Sequence, residues 1–426
     1  MAASPLPLSS MLYQPARHGR CLARDWDPHR ARARIRAIVQ DTEARFSPRS
    51  LWPAHPGEPN PGHERGEPIA PGGNASLYDG ASGTIWALHH LADRGAVRLT
   101  RDYREELGTL LHLGRESLGE RDESLLASYL MGEVPVLLMA HGLDPSPEIA
   151  DRLEHLLVVS REDPARDLMW GAPGALLAAL FLHEQCAEER WARSFRETAR
   201  MLWALRRWSP EGHCHYWIQA TPRGEATFLG ALHGVAGIAL AICLGRHLLD
   251  PGDWAQWQES VSRTMKAGAL ASEGEANWPR NLLQGPGGRA LDLQVCHGAP
   301  GVIICLAQMP GPALDALLVA GGETAWMAGP LERPGSLCHG TCGNGYAFLK
   351  LYERTQDARW LARARSFAMH AIDQSEAQEE RSGQLDYALW TGDLGLAVYL
   401  WDCLQATTRF PTLDVFHAQP AGSRFH

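Results

Sequence analysis

The chain contains no run of about 20 uninterrupted apolar residues, so it offers no transmembrane helix. Its first 20 residues lack a charged start followed by an apolar stretch, so no secretory signal is expected. Charge is scarce: 21% of residues are Asp, Glu, Lys or Arg, and the net charge is −9. An acidic balance without a broad basic patch argues against nucleic acid as a partner. The run Arg30-Ala31-Arg32-Ala33-Arg34-Ile35-Arg36 has helical spacing and reads as a solvated helix face. Nine cysteines at irregular spacing in a chain of 426 residues do not read as a disulfide framework. A reducing, cytoplasmic setting is the expectation, and it keeps thiols available for a metal.

What is present is apolar mass. Hydrophobic residues make up 45% of the chain, enough to bury a large core in one big domain or two ordinary ones. Residues 44 to 74 are rich in Pro and Gly and read as an extended loop. The segment from about 22 to 43 reads as one helix. From Ser76 onward a unit recurs: a short Gly-x-x-Gly element that opens an apolar stretch of helical character. The instances begin at Gly80, Gly171, Gly234, Gly298, Gly340 and Gly392, and a degenerate copy at Gly132 ends in Pro135. The seven first glycines are 39 to 64 residues apart, room for two helices and their connections. No sustained alternation of strand type accompanies them. The pattern predicts an all-α chain of seven helical hairpins with their Gly-rich turns at one end. A closed ring and an open solenoid both satisfy the periodicity.

Two turns stand apart. The fifth reads Val295-Cys296-His297-Gly298 and the sixth Leu337-Cys338-His339-Gly340, each with Cys-His directly before the repeat's glycine. If the turns cluster, both pairs face one space, and thiolate with imidazole is a donor set that zinc prefers. Buried thiols and core histidines that merely pack are the competing reading. The fourth turn carries His233 before Gly234, a candidate acid or base. In the third, Asp167 precedes Gly171 by four residues, where a carboxylate can orient or activate a neighbour. The tripeptide His213-Cys214-His215 lies outside the turn register and reads as an incidental loop. No phosphate loop, nucleophile elbow or His-Glu-x-x-His helix is evident.

These residues resemble the lanthionine synthetase C-like family. The matching strings are Cys-His-Gly-Ala-Pro-Gly at 296–301, Leu-Cys-His-Gly-Thr-Cys-Gly-Asn-Gly-Tyr-Ala-Phe-Leu at 337–349, Gly-Ala-Leu-His-Gly-Val-Ala-Gly at 230–237 and Ser-Leu-Tyr-Asp-Gly-Ala-Ser-Gly at 76–83. The resemblance implies an (α/α)7 double toroid over residues 76–426, with 1–75 as an N-terminal helix and extension. It implies one Zn2+ held by Cys296, Cys338 and His339, with His233 and Asp167 as catalytic residues. His297 stands where peptide cyclases often have Tyr, which sides with the free-standing, glutathione-handling branch. That branch's substrate-binding basic positions fall on Arg333 and Arg381. Three departures touch substrate binding or the turns. Pro135 stands at a usual glycine; Leu389-Trp390-Thr391-Gly392 replaces a Phe-Glu-Gly turn; and Asp292 sits where an arginine is common, Arg289 being the nearest substitute. The implied activity is zinc-dependent addition of a thiol, from glutathione or a peptide cysteine, to dehydroalanine or dehydrobutyrine. A lanthionine cyclase for a ribosomal precursor peptide and a non-catalytic zinc- or glutathione-binding regulator are the alternatives.

Overall fold

The Gly-x-x-Gly elements do at the backbone what their spacing predicts. Gly80, Gly171, Gly234, Gly298, Gly340 and Gly392 are the N-caps of six helices: α2 (Ala81–Asp93), α7 (Ala172–Cys186), α9 (Val235–Leu244), α11 (Ala299–Leu306), α13 (Thr341–Thr355) and α15 (Asp393–Gln405). A seventh, α5 (Val134–Leu143), starts at the degenerate copy, where Pro135 occupies a first-turn position that needs no amide donor. These seven are apolar around most of their circumference, and residues Val235 to Cys243 of α9 are all buried. Such helices belong inside. The computed structural model describes residues 12–20, 22–55, 75–118, 123–283, 291–332 and 335–417.

The helices between them are amphipathic. They are α3 (Leu107–Leu118), α6 (Pro147–Glu162), α8 (Glu189–Leu205), α10 (Pro251–Gly268), α12 (Pro312–Ala328) and α14 (Ala358–Ser382), with a one-turn α4 (Glu123–Leu126). In α8 the buried residues are Trp191, Ala192, Phe195, Thr198, Ala199 and Leu202, a stripe at three- and four-residue spacing that lies on α7. Each outer helix thus covers an inner one.

The ring closes. The inner helices contact one another in the order α2, α5, α7, α9, α11, α13, α15, and α15 packs back on α2. Their turns are joined by backbone bonds: Leu77 N to Leu130 O, Leu168 N to Leu232 O, Val295 N to Cys338 O, Leu337 N to Trp390 O, and Trp390 N to Tyr78 O, all 2.9–3.1 Å. The last of these links the seventh turn to the first, which decides for the toroid over the open solenoid. The second glycine of each element is what lets the turns approach. A Cβ on Gly343 would stand 1.9 Å from Leu337 O of its own turn and 2.6 Å from Val295 Cγ2 of the preceding one. Gly301 is held the same way, by Val295 O and Ala231 Cβ.

The outer ring needs a seventh helix, and α1 (Pro28–Ala44) supplies it by packing on α15 and α14. The boundary expected at residue 76 therefore sets apart a helix that packs as part of the ring. This helix also begins later than the expected residue 22. Asp27 caps it, accepting from His29 N and Arg30 N, and Pro28 fixes its first turn. Upstream, the chain is extended on α14: the His370 ring bonds Leu22 O at 2.7 Å, and Arg24 N donates to Ser366 Oγ at 2.9 Å. The Arg-rich face is only half solvated. Arg32 and Arg36 are exposed, whereas Arg30 pairs with Asp373 at 2.8 Å and buried Arg34 with Glu379 at 2.7 Å.

Among the described residues three antiparallel hairpins interrupt the helices: β1 (Arg207–Ser209) with β2 (Cys214–Tyr216), β3 (Gln219–Thr221) with β4 (Gly224–Ala226), and β5 (Leu270–Ser272) with β6 (Glu275–Asn277). Each strand is three residues long, below the length at which alternation shows in sequence. The C-terminal segment is pinned to the ring by a buried ion pair, Lys350 Nζ to Asp414 Oδ2 at 2.7 Å. Among the described residues no helix is long and apolar enough to cross a membrane.

Candidate metal centre

The bond from Val295 N to Cys338 O fastens the fifth turn to the sixth, and this brings the two Cys-His pairs together. Gly298 has φ +111°, and a Cβ there would meet Asp292 O at 2.2 Å, so the residue after Cys296-His297 has to be glycine for the turn to close. Cys296 and Cys338 are buried, and His339 is half-buried. The two sulfurs and a ring nitrogen of His339 lie within 4.8 Å of one another. Among the described residues this is the one place where three such donors converge.

The donors are poised electrostatically. A hydrogen bond from the Cys338 thiol holds the Cys296 thiol well below its usual range, and His339 adds to the effect. Burial pushes Cys338 up, and its proton is the one shared with Cys296. Gln294 Nε2 donates to Cys296 Sγ at 3.0 Å, and Tyr78 flanks Cys338. Two buried sulfurs, one of them held low by its neighbour, beside an imidazole fit a zinc ion by donor chemistry.

The donors line a cleft of about 110 Å³ that also takes in His233, His297 and Arg280. His233 Nδ1 stands 2.8 Å from Asp167 Oδ2, and both side chains are buried. Asp167 is itself fixed, because its Oδ1 accepts Trp170 N at 2.8 Å. The carboxylate therefore sets the His233 tautomer with the proton on Nδ1. His297 faces into the cleft, its ring stacked 5.7 Å from that of His233. Burial drives the His297 imidazole down to about 4, so it is neutral at ordinary pH, and among the described residues its Nδ1 meets no hydrogen-bond partner.

The sequence-predicted residues divide. Cys296, Cys338, His339, His233, Asp167 and His297 come together around this cleft. Arg381 is exposed on the last turn of α14 and does not line it. Arg333 and Arg289 lie outside the described residues. The tripeptide 213–215 enters the β1–β2 hairpin, where Cys214 is buried and His215 Nδ1 meets Ser260 Oγ at 3.2 Å. Sequence reasoning missed Arg280, Gln294 and Tyr78. Tyr78 stands inside a quoted repeat string, but Arg280 belongs to no repeat and carries no pattern.

The sequence model of the family described as "Lanthionine synthetase C-like protein" matches residues 71–415. A Danio rerio protein named "Glutathione S-transferase LANCL1" is 29% identical over 316 residues, covering 68% of this chain and 74% of that one. An Arabidopsis thaliana protein, "LanC-like protein GCL1", is 27% identical over 268 residues, 58% of each chain. Among solved structures the chain resembles "Nisin cyclase" with a TM-score of 0.60 at 15% identity, covering 88% of this chain and 94% of that one. That likeness concerns the helical toroid.

Proposed function

The chain belongs to the lanthionine synthetase C-like family, and from that premise we propose that it forms thioethers by adding a thiol to a dehydroalanine or dehydrobutyrine residue. The observation that carries this reading is the meeting, on one small cleft, of the Cys296–Cys338–His339 donor set and the Asp167–His233 pair. Cys296, Cys338 and His339 would hold zinc. When bound, zinc with three protein ligands supplies a Lewis acid that lowers the pKa of a thiol taken up beside it.

The chain's own residues account for the rest. The substrate thiolate adds to the β-carbon, the new C–S bond forms, and the π electron pair moves to give an enolate. The α-carbon then needs a proton. In this reading His233 takes the proton of the substrate thiol on Nε2 and returns it to the α-carbon, while Asp167 holds Nδ1 and stabilises the imidazolium in between. His297, neutral and stacked beside it, shapes the wall of the cleft without competing for the proton. The buried surroundings keep bulk water from quenching the enolate at random.

The name of the Danio rerio relative favours glutathione over a peptide cysteine as the thiol. A reducing compartment such as the cytoplasm suits the reaction, and the eight described cysteines are all free. The test is adduct formation between glutathione and a dehydroalanine peptide, followed by mass spectrometry, with wild type and Cys338→Ala. Wild type is expected to carry one zinc per chain and to accelerate the addition at least a hundredfold over Cys338→Ala. Equal slow rates in both would remove the catalytic reading, and protein that neither carries nor takes up zinc would remove the metal assignment.

A further inference from the structure

The thiol cleft contains a cation that no repeat motif supplies. Arg280 follows β6 and reaches the cleft wall beside Cys296 and His297. Its guanidinium is fixed along one edge only: Nη2 donates to Asp292 Oδ2 at 2.6 Å and Nε to the same oxygen at 3.2 Å. Nη1 makes no hydrogen bond to any described residue, and the side chain is 41% exposed. Asp292 is almost wholly buried, at 3%. It does not depend on Arg280 for neutralisation, because its other oxygen, Oδ1, receives Arg17 from the N-terminal segment. Arg17 also donates to Gln294 Oε1 at 2.8 Å, and Gln294 touches the Cys296 sulfur.

Within the Arg17–Asp292–Arg280 cluster, two arginines on one carboxylate leave one positive charge over. Arg17 gives Nη1 to Asp292 and Nη2 to Gln294 and does not line the cleft, so it is Arg280 that presents the surplus there. A guanidinium with one edge clamped and the other turned to a partly desolvated cleft is a pre-organised receptor for a planar anion. Nothing anionic among the described protein groups takes up that edge.

We infer that Arg280 is a specificity-determining residue: its Nη1 edge receives a carboxylate carried by the thiol substrate, and Asp292, steadied by Arg17, is the positioning residue that aims it. The inference rests on the thioether-forming reading and narrows its substrate class to small carboxylate-bearing thiols. A cysteine in the middle of a peptide has no carboxylate of its own to offer.

The test uses the full-length, zinc-loaded protein, a dehydroalanine peptide, and two matched thiols, N-acetylcysteine and its carboxamide. Wild type is expected to prefer the acid over the amide at least tenfold in kcat/KM, with the difference in KM. Arg280→Met should bring that ratio to near one, Arg280→Lys should keep part of it, and Asp292→Asn should fall between. Calorimetric titration of the same thiol pair reads binding without turnover and should show the same ordering. A wild type with no preference, or an Arg280→Met variant that keeps it in both assays, overturns the inference. Absence of any adduct with any thiol would instead overturn the catalytic reading, while the titration would still decide the role of Arg280.

Discussion

A single methyl group at residue 343 tests the link between the repeat and the metal centre. Gly343 lies in the first turn of α13, just after the turn that bears Cys338 and His339. In Gly343→Ala the new Cβ meets Leu337 O at 1.9 Å and Val295 Cγ2 at 2.6 Å. Leu337 O is backbone and cannot rotate away. Restoring ordinary contact needs a displacement of about 1.5 Å. The atoms that must yield belong to the neighbours of Cys338 and Cys296, so the displacement separates the two thiols. Metal–ligand distances tolerate only about 0.2 Å. The variant should therefore lose stability by about 1–3 kcal/mol from overpacking. Metal affinity should weaken by at least about tenfold, as when supporting contacts around a site are removed. Urea unfolding of the metal-free protein reads the first quantity, and chelator competition reads the second. Gly252→Ala in α10 is the control, since nothing lies within 4 Å of a Cβ there: metal retention should stay at the wild-type value and stability should hold or rise by up to about 1 kcal/mol. A Gly343→Ala protein with wild-type unfolding and wild-type metal retention would refute the claim that steric register at this glycine brings the thiols together.

Two further outcomes follow from buried groups. Asp167→Asn preserves the acceptor for Trp170 N but presents an amide donor to His233 Nδ1, reversing the tautomer; kcat should fall by about 10²–10⁴ with zinc content unchanged, and near-wild-type turnover would reduce Asp167 to a loop-shaping role. His417 is held down to about 4 by burial, with His141 adding to it, so the folded state resists a proton that the unfolded state accepts near 6.5. Its contribution is intact above pH 6.5 and is lost as pH falls toward 4, amounting to at most about 2 kcal/mol at pH 5. His417→Gln should flatten the fall in melting temperature between pH 7 and 5, and an unchanged slope would place that acid sensitivity elsewhere.

The fold was legible where local chemistry and global architecture coincide. A Gly-x-x-Gly before an apolar stretch marks a helix start whatever surrounds it, and six of the seven inner helices are capped at the expected glycine. Closure of the ring was not legible. It depends on α15 returning to α2 and on Trp390 N reaching Tyr78 O, a contact between the two ends of the repeat. The seventh outer helix, α1, precedes the first repeat in sequence, so a pattern that begins at residue 76 leaves it out. The hairpins escaped because strands of three residues are too short to alternate.

The site divides along the same line. Cys296, Cys338, His339 and His233 each sit one or two residues before a repeat glycine, so register alone made them neighbours. Arg280 and Arg17 have no register, and their place depends on where a buried carboxylate draws them. Asp292 is the instructive residue. In the string it reads as a reversal of charge, an acid at a position where relatives often carry an arginine, and so as the weakening of an anion site. In three dimensions it gathers Arg17 and Arg280 onto its two oxygens, a cluster with one positive charge over at the cleft wall. The sign of the wall is thus set by the cluster and not by the residue at the aligned position. A substitution that removes an arginine at the aligned position has to be judged by which other arginine the new side chain holds at the cleft.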